Sequence, residues 1–247
     1  MRLQLFIIFV LFHAQLIADN KGFGVGDTLF VWTDNGVIVR KQPGMESEAI
    51  TKRSYGEKVI VLEVVGSELE YETVPSVSIK NQVYPKIAVI GKFIRINISG
   101  SVGYVYGGLL SRLKPMVKGE RFEVYFARIF GQLRVVANVQ DAKSDYKFKR
   151  IMYANGGMLQ QEHGSENWWS HLYLIPDITL NEAYLLINRL VGFETGYKRG
   201  IQEGSGWVEI HPTRFEPNEI VLQSGAFEET HIKVEPHYIL ITMRGGN

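Results

Sequence analysis

The amino-acid sequence predicts a mainly β fold carrying one helix, and three observations support that expectation. Short alternating or β-branched apolar runs recur along the whole chain, for example at 59–65 and 238–243. Turn signals separate them: there are 25 Gly against 8 Pro, a balance that suits a turn-rich β protein. Only one segment combines helical periodicity with helix end signals. Apolar residues make up 45% of the 247 positions and aromatics 12%, enough for packed cores and too rich for a disordered chain.

The chain opens with Met1, Arg2, Leu3 and Gln4, followed by an unbroken apolar run over 5–12. A short basic start before a brief apolar run matches the n- and h-regions of a secretory signal peptide. A membrane-spanning helix needs about 20 apolar residues, so this run is too short to anchor the chain. Cleavage is expected after Ala18, giving a leader over 1–18, an exported protein and no membrane anchor after cleavage. The glycines at 22, 24 and 26 lack the spacing of a dinucleotide fingerprint and precede a strand, so they form a flexible lead.

From 28 to 113 every signal is β. Strands at 28–32 and 37–40 flank Asp34-Asn35-Gly36, a hairpin turn signal because Asn and Gly accept positive φ. Further strands are expected at 59–65, 87–90, 93–98 and 102–106. Gly107-Gly108 and then Lys114-Pro115 close the unit, and a boundary crossed by few core contacts is expected there. The second half continues with a hairpin of 122–129 and 133–139 around Phe130-Gly131-Gln132. A second hairpin, of 146–154 and 158–161, turns at Asn155-Gly156-Gly157. A strand at 167–175 leads to the single expected helix, over about 180–191. Thr179 and Glu182 have capping-box spacing, Leu180, Ala183, Tyr184, Ile187 and Val191 recur at helical intervals, and Gly192 stands where a left-handed cap belongs. Strands are then expected at 207–210, 220–223, 227–234 and 238–243.

Val37-Ile38-Val39-Arg40-Lys41-Gln42-Pro43 and Gly103-Tyr104-Val105-Tyr106-Gly107-Gly108-Leu109-Leu110-Ser111 stand at the two ends of the first unit. With Ser47, Ile50, Gly56, Val59 and Val61-Leu62 between them, they resemble the opening and closing motifs of the bacterial SH3 domain family. The resemblance covers about 28–113. It departs from the family between Leu62 and Gly103, where a longer middle containing Pro75 and Pro85 implies an extended hairpin or an inserted loop. What the resemblance implies is an SH3-type β-barrel over 26–114, followed by an α+β domain over 115–247 with an antiparallel sheet and one helix. In this family the groove beside the loops often binds cell-wall peptides. The expected partner is therefore a cell-wall or other envelope component, or an envelope protein. The second half resembles no family.

The chain has no Cys, which excludes disulfides, thiolate metal sites, a Cys nucleophile and a lipid anchor at Cys. Losing 1–18 removes only Arg2 from 27 basic residues against 26 acidic ones, so the charges balance. Neither half carries the basic excess that nucleic acid requires. There is no H-E-x-x-H, Walker loop or G-x-S-x-G. Non-catalytic binding is the expected role, with an envelope hydrolase built from carboxylates and His as the rival. Convergence of Glu162, His163, Glu166 and His171 would favour the rival. At about 3.3 Å per residue, His171 would lie about 10 Å along its strand, too far to share an ion with His163 unless the loop folds back. His231 and His237 fall on opposite faces if Glu235-Pro236 is the turn between their strands. No metal and no cofactor are expected. The candidate ligand-binding residues are aromatic: Tyr104 and Tyr106 on one face of the closing strand, and Trp168 and Trp169 on opposite faces of theirs. For all four, core packing is the competing role.

Overall fold

The computed structural model describes residues 22–79, 81–98, 100–141, 143–165, 167–203, 210–224 and 228–246. The expected leader over 1–18 lies outside the described residues, as do Glu166 and most of the strand expected at 207–210. The chain is mainly β, as its periodicity predicts, and is built from antiparallel sheets.

The first unit contains β1 (Thr28–Val31), β2 (Val37–Arg40), β3 (Ala49–Arg53) and the long β4 (Lys58–Val74). A small ribbon of β5 (Val77–Ile79) and β6 (Gln82–Tyr84) follows, then β7 (Ile87–Ile98) and β8 (Ser101–Tyr106). A 3-10 turn over Gly107–Leu109 leads into the short β9 (Leu110–Ser111). The sheet order is β3-β2-β8-β7-β4-β1-β9. Alternation explains which side is buried: Leu29 and Val31, Val37 and Val39, and Val59 and Val61 all point into one core.

Two expectations change here. The turn at Asp34-Asn35-Gly36 forms, with Gly36 at φ 67° and its N–H donating to Thr33 O at 2.9 Å, but it joins no hairpin. β1 pairs instead with β4 and β9. A turn reverses the chain locally without selecting a partner, and β1 is held elsewhere, with Trp32 N–H donating to Leu109 O at 3.1 Å. The strands expected at 87–90 and 93–98 are one strand, β7, paired with β4 through register shifts at Val61/Glu63, Val65/Leu69 and Glu72/Val74. Between the two alternatives for the long middle, this is an extended hairpin. Pro75 and Pro85 stand outside its strands, where no ladder N–H is needed.

The second half begins with a helix where a strand was expected. α1 (Phe122–Phe130) buries Phe122, Tyr125 and Phe126, the i, i+3, i+4 set of one helical face. Aromatic and β-branched content suggested β, but Val124, off that face, is left exposed. Gly131, expected inside a hairpin turn, caps the helix at φ 67° with its N–H donating to Ala127 O at 3.0 Å. Then come β10 (Gln132–Asp141), β11 (Tyr146–Tyr153), β12 (Met158–His163) and β13 (Trp169–Ile175).

α2 (Leu180–Val191) has the capping box and the left-handed Gly192 that its sequence specifies. It is not the single helix, because α3 (Phe193–Glu203) follows at once. That segment buries Phe193 and Tyr197 on one face, while Gly196 and Gly200 lower its intrinsic propensity. The chain ends with β14 (Ile210–Glu216), β15 (Glu219–Ser224), β16 (Glu228–Glu235) and β17 (Tyr238–Gly245). The eight strands form one sheet in the order β10-β11-β12-β13-β17-β16-β15-β14. Two helix-led, four-stranded meanders thus meet through their last strands. Pairing aligns Ile151, Leu159, Tyr173, Ile241, Ile232 and Ile220 in a row across the sheet. All six are buried, on the face where Phe122 and Phe126 pack against Tyr173.

Contacts across the Lys114-Pro115 junction are many, against the expectation of few. Trp32 packs edge-on against Tyr125 with ring centroids 6.3 Å apart, and one continuous core includes both halves. Tyr197 Oη donates to Pro85 O at 2.8 Å, and Arg189 pairs with Asp34 at 2.5 Å.

Candidate functional site

The two halves enclose a cleft of about 870 Å³. One wall is β7 with the 3-10 turn, the other the start of α2 and the β14–β15 turn. Glycine makes the first wall thin: a Cβ on Gly91 would run into the backbone of Gly108, so only Gly allows this approach of strand and turn. The second wall is tied to the first at two points. Asn181 Nδ2 donates to Ile90 O, and the wholly buried Glu182 reaches back to the strand end. Its Oε1 accepts from Arg112 N at 2.6 Å and Ser111 Oγ at 3.0 Å, while Oε2 faces Arg112 Nη1 at 3.2 Å. The floor includes Ile94, Leu110, Leu180 and Ile220, all buried, and the half-exposed Ile90 offers its side chain to the opening. The rim is charged with both signs. Lys86 pairs with Glu70 and, at 3.5 Å, with Glu72, and the hydrogen bond to Glu70 holds the Lys86 amine above its ordinary pKa. Arg214 pairs with Glu219 and, at 3.7 Å, with Glu216, and Glu219 is held below the usual carboxylate value by that contact.

The aromatic candidates are scattered. Tyr106 is buried, 4% exposed, and its hydroxyl lies 2.7 Å from Leu69 O and 2.8 Å from Val89 O, its one proton shared between the two carbonyls. It is a core residue and offers no surface to a ligand, because alternation turns it inward against Phe93 and Tyr71. Burial holds its pKa far above the ordinary phenol value. Tyr104 is half-buried, between Arg40 and Arg95 in the register, and outside the cleft lining. Trp168 precedes its strand instead of lying on it and is 43% exposed, in a turn closed by Gly164 N–H to Trp168 O at 2.8 Å. Trp169 opens β13 and packs over Gly245, where a Cβ would meet its ring at 2.8 Å.

A second cluster appears that linear spacing argued against. β12 and β13 pair antiparallel, Gln161 opposite His171 and His163 opposite Trp169, so the loop does fold back. His163 and His171 are diagonal neighbours on one face, with Nε2 atoms 3.4 Å apart and ring centroids 5.3 Å apart. Tyr173 Oη lies 3.4 Å from His171 Nδ1, and the Trp169 ring centroid is 5.1 Å from that of His171. Desolvation, then the neighbouring His163, push His171 down to about 4, and Glu123 on α1 pulls the other way. Glu162 does not join them, because the next position on a strand faces the other side; it accepts from Gln160 Nε2 at 2.6 Å. Hairpin logic applied to 163–169 was the signal that would have found this pair. His231 and His237 do not meet. The two-residue turn is Pro236-His237, not Glu235-Pro236, and His231 lies opposite Thr242.

No family model, no curated protein and no solved structure matches the chain. Among the described residues, no helix is long and apolar enough to cross a membrane.

Proposed function

We propose that this chain is an exported, non-catalytic binding protein of the cell envelope. In this reading a leader is removed after Ala18, residues 26–114 are an SH3-type β-barrel, and the cleft against 115–247 seats peptidoglycan or another envelope component. The observation that carries the proposal is the cleft: its volume of about 870 Å³ lies within the usual range for ligand sites. An apolar floor under a rim of both charge signs suits a peptide that itself carries amines and carboxylates, as cell-wall stem peptides do. The barrel reading is supported by the closing motif, whose residues form β8, a tight 3-10 turn and β9 in succession.

One observation favours the rival, an envelope hydrolase: His163 and His171 meet at the edge of the sheet face on which α1 packs, His163 exposed and His171 partly buried. A single experiment separates the two. Full-length protein is incubated with purified cell walls, and both sedimented protein and released soluble fragments are measured. Binding without release is the expected result, and Ile90→Asp, which puts a charge on the cleft wall, is expected to weaken it about tenfold or more. Tyr104→Ala is expected to bind as the parent does. Loss in Tyr104→Ala with retention in Ile90→Asp would move the seat to the β8 face, and soluble fragments would establish the hydrolase.

A further inference from the structure

The pair of imidazoles between β12 and β13 has a geometry that an accidental contact does not require. Two ligands about 2.05 Å from a tetrahedral zinc ion stand about 3.35 Å apart. With the imidazole centroid about 1.15 Å behind each nitrogen, rings converging on such an ion would have centroids about 5.2 Å apart. The observed separations are 3.4 Å between Nε2 atoms and 5.3 Å between centroids. Nitrogens pointing straight at each other across the same gap would put the centroids about 5.7 Å apart, and adjacent ligands of a square-planar ion would have nitrogens only about 2.8 Å apart. Both distances fit the tetrahedral case.

We propose that His163 and His171 form a two-histidine chelate for a divalent zinc-like cation, bound through both Nε2 atoms. The surroundings suit the chemistry. With Nε2 on a metal, His171 carries its proton on Nδ1, which faces Tyr173 Oη at 3.4 Å, the outer hydrogen bond by which metal-bound imidazoles are usually held. Tyr173 is 2% exposed and wedged against Phe122 and Phe126, so its hydroxyl is a fixed acceptor and Tyr173 is a positioning residue. Among the described residues no cluster of three His, Cys, Asp or Glu is arranged to hold a metal. The two histidines fill two of the four positions of a tetrahedral ion, and the other two are open to further oxygen or nitrogen donors. The chelate stands independently of the cleft and of what fills it.

The test uses untagged full-length protein stripped by a chelator. Zinc titration followed by calorimetry is expected to give one saturable site, while magnesium and calcium give none. Cobalt(II), a spectroscopic substitute for zinc, is expected to produce the strong visible absorption of a tetrahedral site. His163→Ala and His171→Ala are each expected to abolish the site, and His237→Ala to leave it. Tyr173→Phe is expected to keep one site with affinity lowered about 10- to 100-fold. The cobalt spectrum of the unaltered protein stands even if a variant folds poorly. Absence of saturable zinc binding, a six-coordinate cobalt spectrum, or binding that survives both histidine substitutions would overturn the proposal.

Discussion

Glu182 is wholly buried and joins the start of a helix to the first unit. Its side chain closes the capping box of α2, with Thr179 N donating to Oε2 at 2.9 Å. The same carboxylate accepts from Ser111 and Arg112 on the first unit, so one side chain both starts a helix and fastens it to β9. A buried carboxylate is tolerated only with such a complete set of donors, and removing it leaves those donors without this partner. Glu182→Ala is expected to destabilise the protein by about 3–5 kcal/mol in a denaturant melt. Glu182→Gln, which keeps the shape and part of the bonding, is expected to lose less. Equal losses would mean that charge alone matters there. The spacing of Thr179 and Glu182 was legible in the sequence; the reach to Ser111, 71 positions away, was not.

Elements were recovered unevenly, for a consistent reason. α2 and the β11–β12 hairpin carry their own end signals, and both form where those signals stand, with Met152 opposite Met158 across the Asn155-Gly156-Gly157 turn. α1 carries no side-chain cap, and its aromatic content competes with its periodicity, so only packing of Phe122, Tyr125 and Phe126 under the sheet selects the helix. α3 has too narrow an apolar face to announce itself. The site was hidden at the same level. His163 and His171 are eight positions apart, and their contact depends on the register in which β12 pairs with β13. A register shift of one residue would have sent every side chain of one strand to the other face.

At the scale of the whole molecule, the shared core makes the two halves interdependent. Cutting at Lys114-Pro115 would expose Trp32, now 3% exposed, and strip Ser111 and Arg112 of Glu182. Burial of each large apolar side chain contributes about 1.5–3 kcal/mol. The fragment 26–114 is therefore expected to melt clearly below the full chain in calorimetry; equal melting would mean that contacts across the junction contribute nothing. The buried tyrosines make a second global prediction. Burial pushes Tyr153 and Tyr197 up to about 12 and Tyr106, Tyr125, Tyr173 and Tyr184 higher still. An unfolded chain releases these protons near pH 10, while the folded chain retains them, so this stability is complete below about pH 10 and falls as pH rises. Alkaline titration should show the phenolate absorbance of these six tyrosines appearing together with unfolding; gradual titration of all tyrosines in a folded protein would contradict it.

The chain's local chemistry was sufficient for what depends on near neighbours: the mainly β class, the balanced charge, the cap and stop of α2, and the alternation that buries Val37 and Val39. Those features follow from backbone sterics and from hydrogen bonds spanning a few residues. The partner of β1, the identity of α1, the burial of Tyr106, the union of the two halves around Glu182 and the meeting of His163 with His171 were decided in three dimensions. Each depends on which surfaces pack and in what register, and that choice minimises exposed apolar area over the whole chain, a quantity no short stretch of residues contains.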